Sequence, residues 1–125
     1  MEKSIVKWTS LGIIGCLFVL TLLSGCSMAR MGALSKAREA MGKGECAKAI
    51  KKAGDADNYG TPSPKQQAEI LFIRASCADR MGNAADAVGL FRFLKEHYPE
   101  TIYGYQAIER LRAIEEDRGG SKAED

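Results

Sequence analysis

The chain has 125 residues, of which 18 are basic and 16 acidic, so its formal net charge is +2. A charge this close to zero gives no reason to expect a nucleic-acid partner, and the single histidine occurs in no Cys/His spacing typical of a metal site. The length suits one small domain.

The N-terminus has the pattern of an exported protein. Lys3 and Lys7 form a short basic region with one acid, Glu2, and the run 11–23 that follows carries no charge. This order of charge and apolar length is typical of a cleavable signal peptide. The run is shorter than the roughly 20 apolar residues of a spanning helix. Extending it back to Trp8 keeps an uncleaved anchor open as the alternative.

The four residues Leu23-Ser24-Gly25-Cys26 resemble the lipobox of bacterial lipoproteins at every position. The resemblance implies diacylglycerol transfer to the Cys26 thiol, cleavage between Gly25 and Cys26, and a chain held to the lipid membrane by acyl groups. In proteobacterial lipoproteins, the absence of an aspartate directly after the lipidated cysteine implies sorting to the outer membrane. Ser27 holds this position, so in a two-membrane host the resemblance implies the outer membrane, with the domain facing the periplasm. The alternative is a chance Gly-Cys pair after an apolar run.

These features predict four segments: a signal peptide at 1–25, a lipidated N-terminus and tether at 26–32, a helical domain at 33–117 and a polar tail at 118–125. Residues 26–53 carry seven basic and two acidic side chains. This part could therefore lie against anionic headgroups, although a solvated helix face explains the same charges.

The mature chain predicts an all-α fold, because its apolar residues recur at intervals of three and four and its prolines lie only at breaks. Ser63, followed by Pro64 and Gln66, predicts a capping box, and Asn83 with Asp86 predicts the N-cap of the next helix. The predicted stripes are Leu71, Ala75, Ala78 and Met81 beside Ile70, Ile73 and Cys77; then Ala84, Ala87, Val88, Phe91, Leu94 and Tyr98; then Ala107, Leu111 and Ile114 near Tyr105 and Ile108.

An internal repeat becomes visible when the chain is shifted by 38 residues. The shift superimposes small residues that would lie where two helices cross, and it places Gly44 on Gly82. Each unit is therefore predicted to be a helix, a turn at the glycine and a second helix. The matched pairs are Ala37 with Ala75, Ala40 with Ala78, Ala47 with Ala85, Ala49 with Ala87, Lys36 with Arg74 and Ile50 with Val88.

The second unit resembles a tetratricopeptide repeat, and 87–107 is also similar to the repeats of BamD-type outer-membrane lipoproteins and Tol-Pal accessory proteins. The matching positions are Leu71, Ala75, Ala78, Gly82, Ala87, Phe91 and Pro99. The first unit departs from the pattern, since Ala33 and Ala53 replace large residues. The resemblance implies units at about 33–60 and 64–99, closed by a capping helix at 102–116. A small helical bundle with chance spacing is the alternative.

The sequence offers no catalytic set, no metal site and no cofactor site. His97 is expected near a helix C-terminus or simply exposed, and Asp55 and Asp57 lack the rest of a calcium loop. Cys46 and Cys77 remain after export and lipidation, on neighbouring antiparallel helices of the predicted stack. They form a candidate disulfide, and two buried thiols are the alternative.

The sequence thus predicts a non-enzymatic, membrane-anchored scaffold that binds an unidentified envelope protein or peptide. The resemblance points to outer-membrane protein, secretin or pilus, or cell-wall machinery. The alternative is a small-ligand-binding or hydrolytic lipoprotein of a different helical fold.

Overall fold

The structure, a computed structural model, describes residues 2–122, and within them the side chains of residues 3–20 and 25–120. The predicted all-α class is confirmed: the described chain forms five helices joined by short connections, with no strand among residues 2–122. The helices are α1 (Glu2–Gly42), α2 (Cys46–Asp57), α3 (Pro64–Arg80), α4 (Ala84–His97) and α5 (Ile102–Lys122).

Both predicted N-caps are present. The Ser63 side chain accepts from the backbone N–H of Gln66, whose side chain accepts from the backbone N–H of Ser63, and Pro64 opens α3. Asn83 accepts in the same way from the backbone N–H of Asp86 at the start of α4. These local bonds satisfy donors that the first helical turn leaves free, so the starts of α3 and α4 follow directly from the sequence.

Two helix ends differ from the sequence-based boundaries. Helix α1 passes without a break through the predicted cleavage site, so the predicted tether 26–32 is helical in the uncleaved chain. Helix α5 continues beyond Glu116 to Lys122, so most of the predicted frayed tail is helical, and 123–125 lie outside the described residues. Four glycines lie within these segments without ending a helix: Gly25, Gly32, Gly119 and Gly120. Glycine typically ends a helix in the left-handed conformation, and none of these four has a positive φ.

The 38-residue repeat has its counterpart in the backbone of the two helical turns. Gly44 and Gly82 have φ of 77° and 80°, a conformation that glycine adopts without steric cost. Each turn closes with the same three backbone hydrogen bonds at nearly equal lengths. They are Lys43 to Glu39, Gly44 to Met41 and Glu45 to Ala40 at 3.1, 3.1 and 2.9 Å, and Met81 to Cys77, Gly82 to Asp79 and Asn83 to Ala78 at 3.0, 3.1 and 2.9 Å.

The repeat extends to the core, where equivalent positions are equally buried. The pairs Ala37 and Ala75, Ala49 and Ala87, Ala53 and Phe91, and Ala56 and Leu94 are all 0% exposed. The first unit therefore packs through alanines where the second packs through larger side chains. Membership of the tetratricopeptide family stays a prediction.

Helix α3 is buried on two sides, as its two stripes predict. Ile70, Ile73 and Cys77 pack with α1 and α2, whereas Ala68 and Ala75 pack with α4 and α5. Three stripe residues were placed wrongly by the periodicity: Met81 is 62% exposed, Tyr105 is 63% exposed, and Ala84 is also exposed. Met81 and Ala84 flank the turn at Gly82, where neither helix covers the other.

The helices form an array in chain order. Each helix contacts the next along the chain, and α3 also contacts both α1 and α5. Helices α2 and α4 make no such contact with each other within the part of the chain described. Helices α1 and α5 both pack against α3 on one side of the array, which we call the inner face, and α2 and α4 lie apart on the opposite, outer side.

Candidate membrane attachment and inner face

The N-terminal half of α1 is an exposed apolar helix. Every described side chain from 3 to 20 is exposed, including Trp8 at 83%, Leu11 at 75% and Phe18 at 69%. The helix is long and apolar enough to cross a membrane by length and composition, a test that a signal sequence also passes. Exposure of this much apolar surface is rare in soluble proteins and is typical of a membrane-spanning helix or a signal sequence.

The predicted lipidation site lies on the same helix. Gly25 and Cys26 are exposed in α1, whereas the side chains of Leu23 and Ser24 lie outside those described. The exposed thiol sulfur of Cys26 is thus sterically open to modification. From Cys26 the helix continues directly into the folded domain, whose first buried side chain is that of Arg30.

Arg30 is a buried cation that sequence patterning did not single out. It is 7% exposed, and its Nε has no hydrogen-bond partner in the described chain. Nη1 donates only a long hydrogen bond, of 3.4 Å, to Oε1 of Gln66 at the start of α3. Nη2 lies beside Gly60, where an added Cβ would be 3.2 Å away. The only sequence pattern that could have indicated its burial is its spacing, since Arg30 precedes the apolar residues Leu34 and Ala37 by four and seven residues on the same helix.

The inner face is held together by polar contacts that radiate from α3. Arg38 of α1 places Nε 2.6 Å from Oε1 of Glu69, a carboxylate that is 6% exposed. The same oxygen has no directed hydrogen bond, so the contact is an ion pair in which the N–H does not point at the acceptor. Arg80 donates from Nη1 to the carbonyl oxygen of Met41 at 2.6 Å, and Arg110 of α5 pairs with Asp79.

Tyr103 completes this polar cluster from α5. Burial raises the pKa of its hydroxyl, and the nearby negative charge of Glu69 raises it further. The ring centroids of Tyr103 and Phe72 are 5.6 Å apart, and those of Phe72 and the core residue Phe91 are 6.1 Å apart. The inner face therefore combines the buried carboxylate of Glu69 with an aromatic strip formed by Tyr103, Phe72 and Phe91.

The aromatic strip opens into a shallow apolar depression of about 440 Å³ between α3 and α5, lined by Phe72, Tyr105, Gln106, Ile108, Glu109 and Arg110. Its centre is apolar and its rim carries both charge signs. The outer side has a cleft of about 520 Å³ above α3, bordered by Ile50, Met81 and Leu90 among others. This cleft exists because α2 and α4 lie apart.

The residues of the tetratricopeptide resemblance occupy the second hairpin. Ala75, Ala87 and Phe91 are 0% exposed, and Leu71 and Ala78 pack partly buried against the same core. Gly82 makes the turn, and exposed Pro99 follows α4. These seven residues therefore serve packing and chain direction, and none of them supplies reactive chemistry.

Cys46 and Cys77 lie in one core cluster, 8% and 0% exposed, and the structure holds them as free thiols. Burial, reinforced by a hydrogen bond between the two thiols, raises the pKa of Cys77 to about 12. The predicted neighbourhood of the two cysteines is thus present, and the disulfide itself stays a prediction.

His97 is exposed near the end of α4, as expected. Its ring stacks on Phe93 with centroids 4.0 Å apart, and Nδ1 lies 3.1 Å from the carbonyl oxygen of Phe93. Within residues 2–122, no group of three or more histidine, cysteine or carboxylate side chains is placed to hold a metal ion.

Comparison with known proteins gives no match: no family model, curated protein or solved structure is significantly similar to the chain.

Proposed function

We propose that the chain is a lipid-anchored, non-catalytic scaffold that binds a polypeptide of the cell envelope on its inner face. The anchor is the acylated Cys26, and the outer membrane is its proposed location. The proposed partner machinery assembles outer-membrane proteins, secretins or pili, or the cell wall.

The observation that carries the proposal is the inner face itself. Phe72 and Tyr105 present aromatic surface beside a rim formed by Glu109 and Arg110, in a depression about 440 Å³ in volume. Aromatic and arginine side chains around a desolvated centre are typical of protein-binding surfaces. The expected partner is a segment with an apolar anchor residue flanked by polar groups.

The helical array supports the same reading, because it holds these side chains on rigid elements. The ion pair of Arg38 with Glu69 and that of Arg110 with Asp79 fix α1 and α5 against α3. A preorganised surface loses little conformational freedom on binding. The short array offers a small footprint, so we expect a moderate affinity that membrane tethering raises through local concentration.

Site-specific crosslinking tests this proposal. A photoreactive amino acid is placed in the full-length protein at Gln106, in the depression, and at exposed Arg92 of α4 as the matched outer control. We expect a discrete protein adduct from Gln106 and none from Arg92. Adding Tyr105→Ala should reduce the Gln106 adduct, whereas Tyr59→Ala, which removes an exposed tyrosine outside the depression, should not. Equal adducts from both faces would contradict a specific inner-face partner.

A further inference from the structure

The buried guanidinium of Arg30 lies beside the first turn of α3, where its Nη1 donates to Oε1 of Gln66. In the described chain no carboxylate lies within ion-pair distance of Arg30, and its Nε has no acceptor. The two carboxylates at the end of α2 pair elsewhere, Asp55 with Lys52 at 3.2 Å and Asp57 with Arg74 at 4.0 Å. A buried charge without a counter-charge is unfavourable, which indicates that an anion completes the site.

The first turn of α3 presents further donors. Pro64 has no N–H, the N–H of Gln66 is bonded to Ser63, and the backbone N–H of Lys65 has no acceptor among the described residues. The Lys65 side chain is exposed and forms no ion pair with any described side chain. A helix N-terminus favours anions through its free N–H groups and dipole, and a guanidinium matches the paired oxygens of a phosphate.

Arg30 also lies at a fixed distance along α1 from the proposed lipidation site, Cys26. Arg30 follows Cys26 by four residues, which is about one helical turn or roughly 6 Å along the axis. The headgroup layer on one side of a bilayer is of similar depth, about 5–7 Å. Because α1 is continuous from 2 to 42, this spacing is rigid whether the chain is held by acyl groups at Cys26 or by an uncleaved apolar helix.

We propose that Arg30, Lys65 and the first turn of α3 form a binding site for a phosphate group, whose two available sources are a phospholipid headgroup and free inorganic phosphate. Gly60 leaves room for the guanidinium beneath the α2–α3 connection, since a Cβ there would crowd Nη2. The headgroup assignment rests on the proposed membrane anchoring, whereas the phosphate chemistry does not. Binding would fix the orientation of the domain on the membrane surface.

Native mass spectrometry of the full-length protein in detergent tests the site with three probes. They are short-chain phosphatidylglycerol, a phosphate-free glycolipid of equal acyl length, and inorganic phosphate. We expect phosphatidylglycerol to bind about 10- to 100-fold more tightly than the glycolipid, the range expected for one charged hydrogen-bonding interaction. Competition by inorganic phosphate at comparable concentration would confirm the phosphate site and assign it to the free ion.

Variants locate the site. Arg30→Gln should abolish the preference for phosphatidylglycerol, Lys65→Ala should weaken it, and Arg92→Gln, which removes an exposed arginine of α4, should leave it unchanged. Lys65→Ala alters an exposed side chain, so it reports on binding even if Arg30→Gln unfolds the domain. Equal affinity of the unaltered protein for phosphatidylglycerol and the glycolipid, without phosphate binding, would overturn the proposal. Crosslinking from Gln106 is a separate readout, so failure here is distinguishable from failure of the proposed function.

Discussion

The crossing of α3 and α4 provides a sharp test of the fold, because the two helices meet through alanines. Ala87 is 0% exposed and belongs to the core cluster that contains Ala75 and Phe91. Ala87→Leu inserts a branched side chain where no space is left, and such overpacking costs about 1–3 kcal/mol. The matched control is Ala84→Leu, an exposed position one turn earlier on the same helix.

Thermal unfolding of the full-length protein in detergent, followed by circular dichroism at a helical wavelength, measures the difference. For a domain of this size each kcal/mol lowers Tm by roughly 4–8 °C. We therefore expect Ala87→Leu to melt clearly below the unaltered protein, and Ala84→Leu to melt close to it. Equal melting of the two variants would refute the assigned crossing of α3 and α4.

Three further predictions follow from the core and the inner face. Phe91→Ala should leave a cavity beneath Phe72 and lower the free energy of unfolding by about 3–5 kcal/mol; urea unfolding with an unchanged midpoint would contradict its burial. Thiol titration of the exported protein before and after reduction should show Cys46 and Cys77 bridged, a bond that should add about 3–4 kcal/mol, and two free thiols before reduction would exclude it. Arg38→Met should leave the buried carboxylate of Glu69 without its cation and destabilise the domain by about 1–3 kcal/mol; a urea midpoint unchanged by the substitution would contradict the ion pair.

Features determined by neighbours along the chain could be predicted from the sequence. The capping box at Ser63 and the N-cap at Asn83 depend on side chains within three residues, so the local order of residues is enough to predict them. The two stripes of α3 were also readable, since burial on both sides leaves apolar residues around most of the helix. The turns at Gly44 and Gly82 followed from a repeat in the sequence.

Features determined by distant packing could not be predicted in this way. Glu69 begins an otherwise apolar stretch, and its burial is explained by two distant residues, Arg38, 31 residues earlier on α1, and Tyr103 on α5. Arg30 is buried because the α2–α3 connection folds over it. The length of α1 was missed for another reason: a lipobox is a recognition sequence for processing and contains no helix-ending signal.

The most direct test of the lipid-anchored account is the intact mass of the chain extracted from bacterial membranes, compared with that of Cys26→Ala. We predict that the unaltered protein lacks residues 1–25 and carries diacylglycerol on Cys26, and that the variant keeps residues 1–25 and gains no lipid. A full-length chain with an unmodified Cys26 thiol would contradict the account and would identify α1 as an uncleaved anchor.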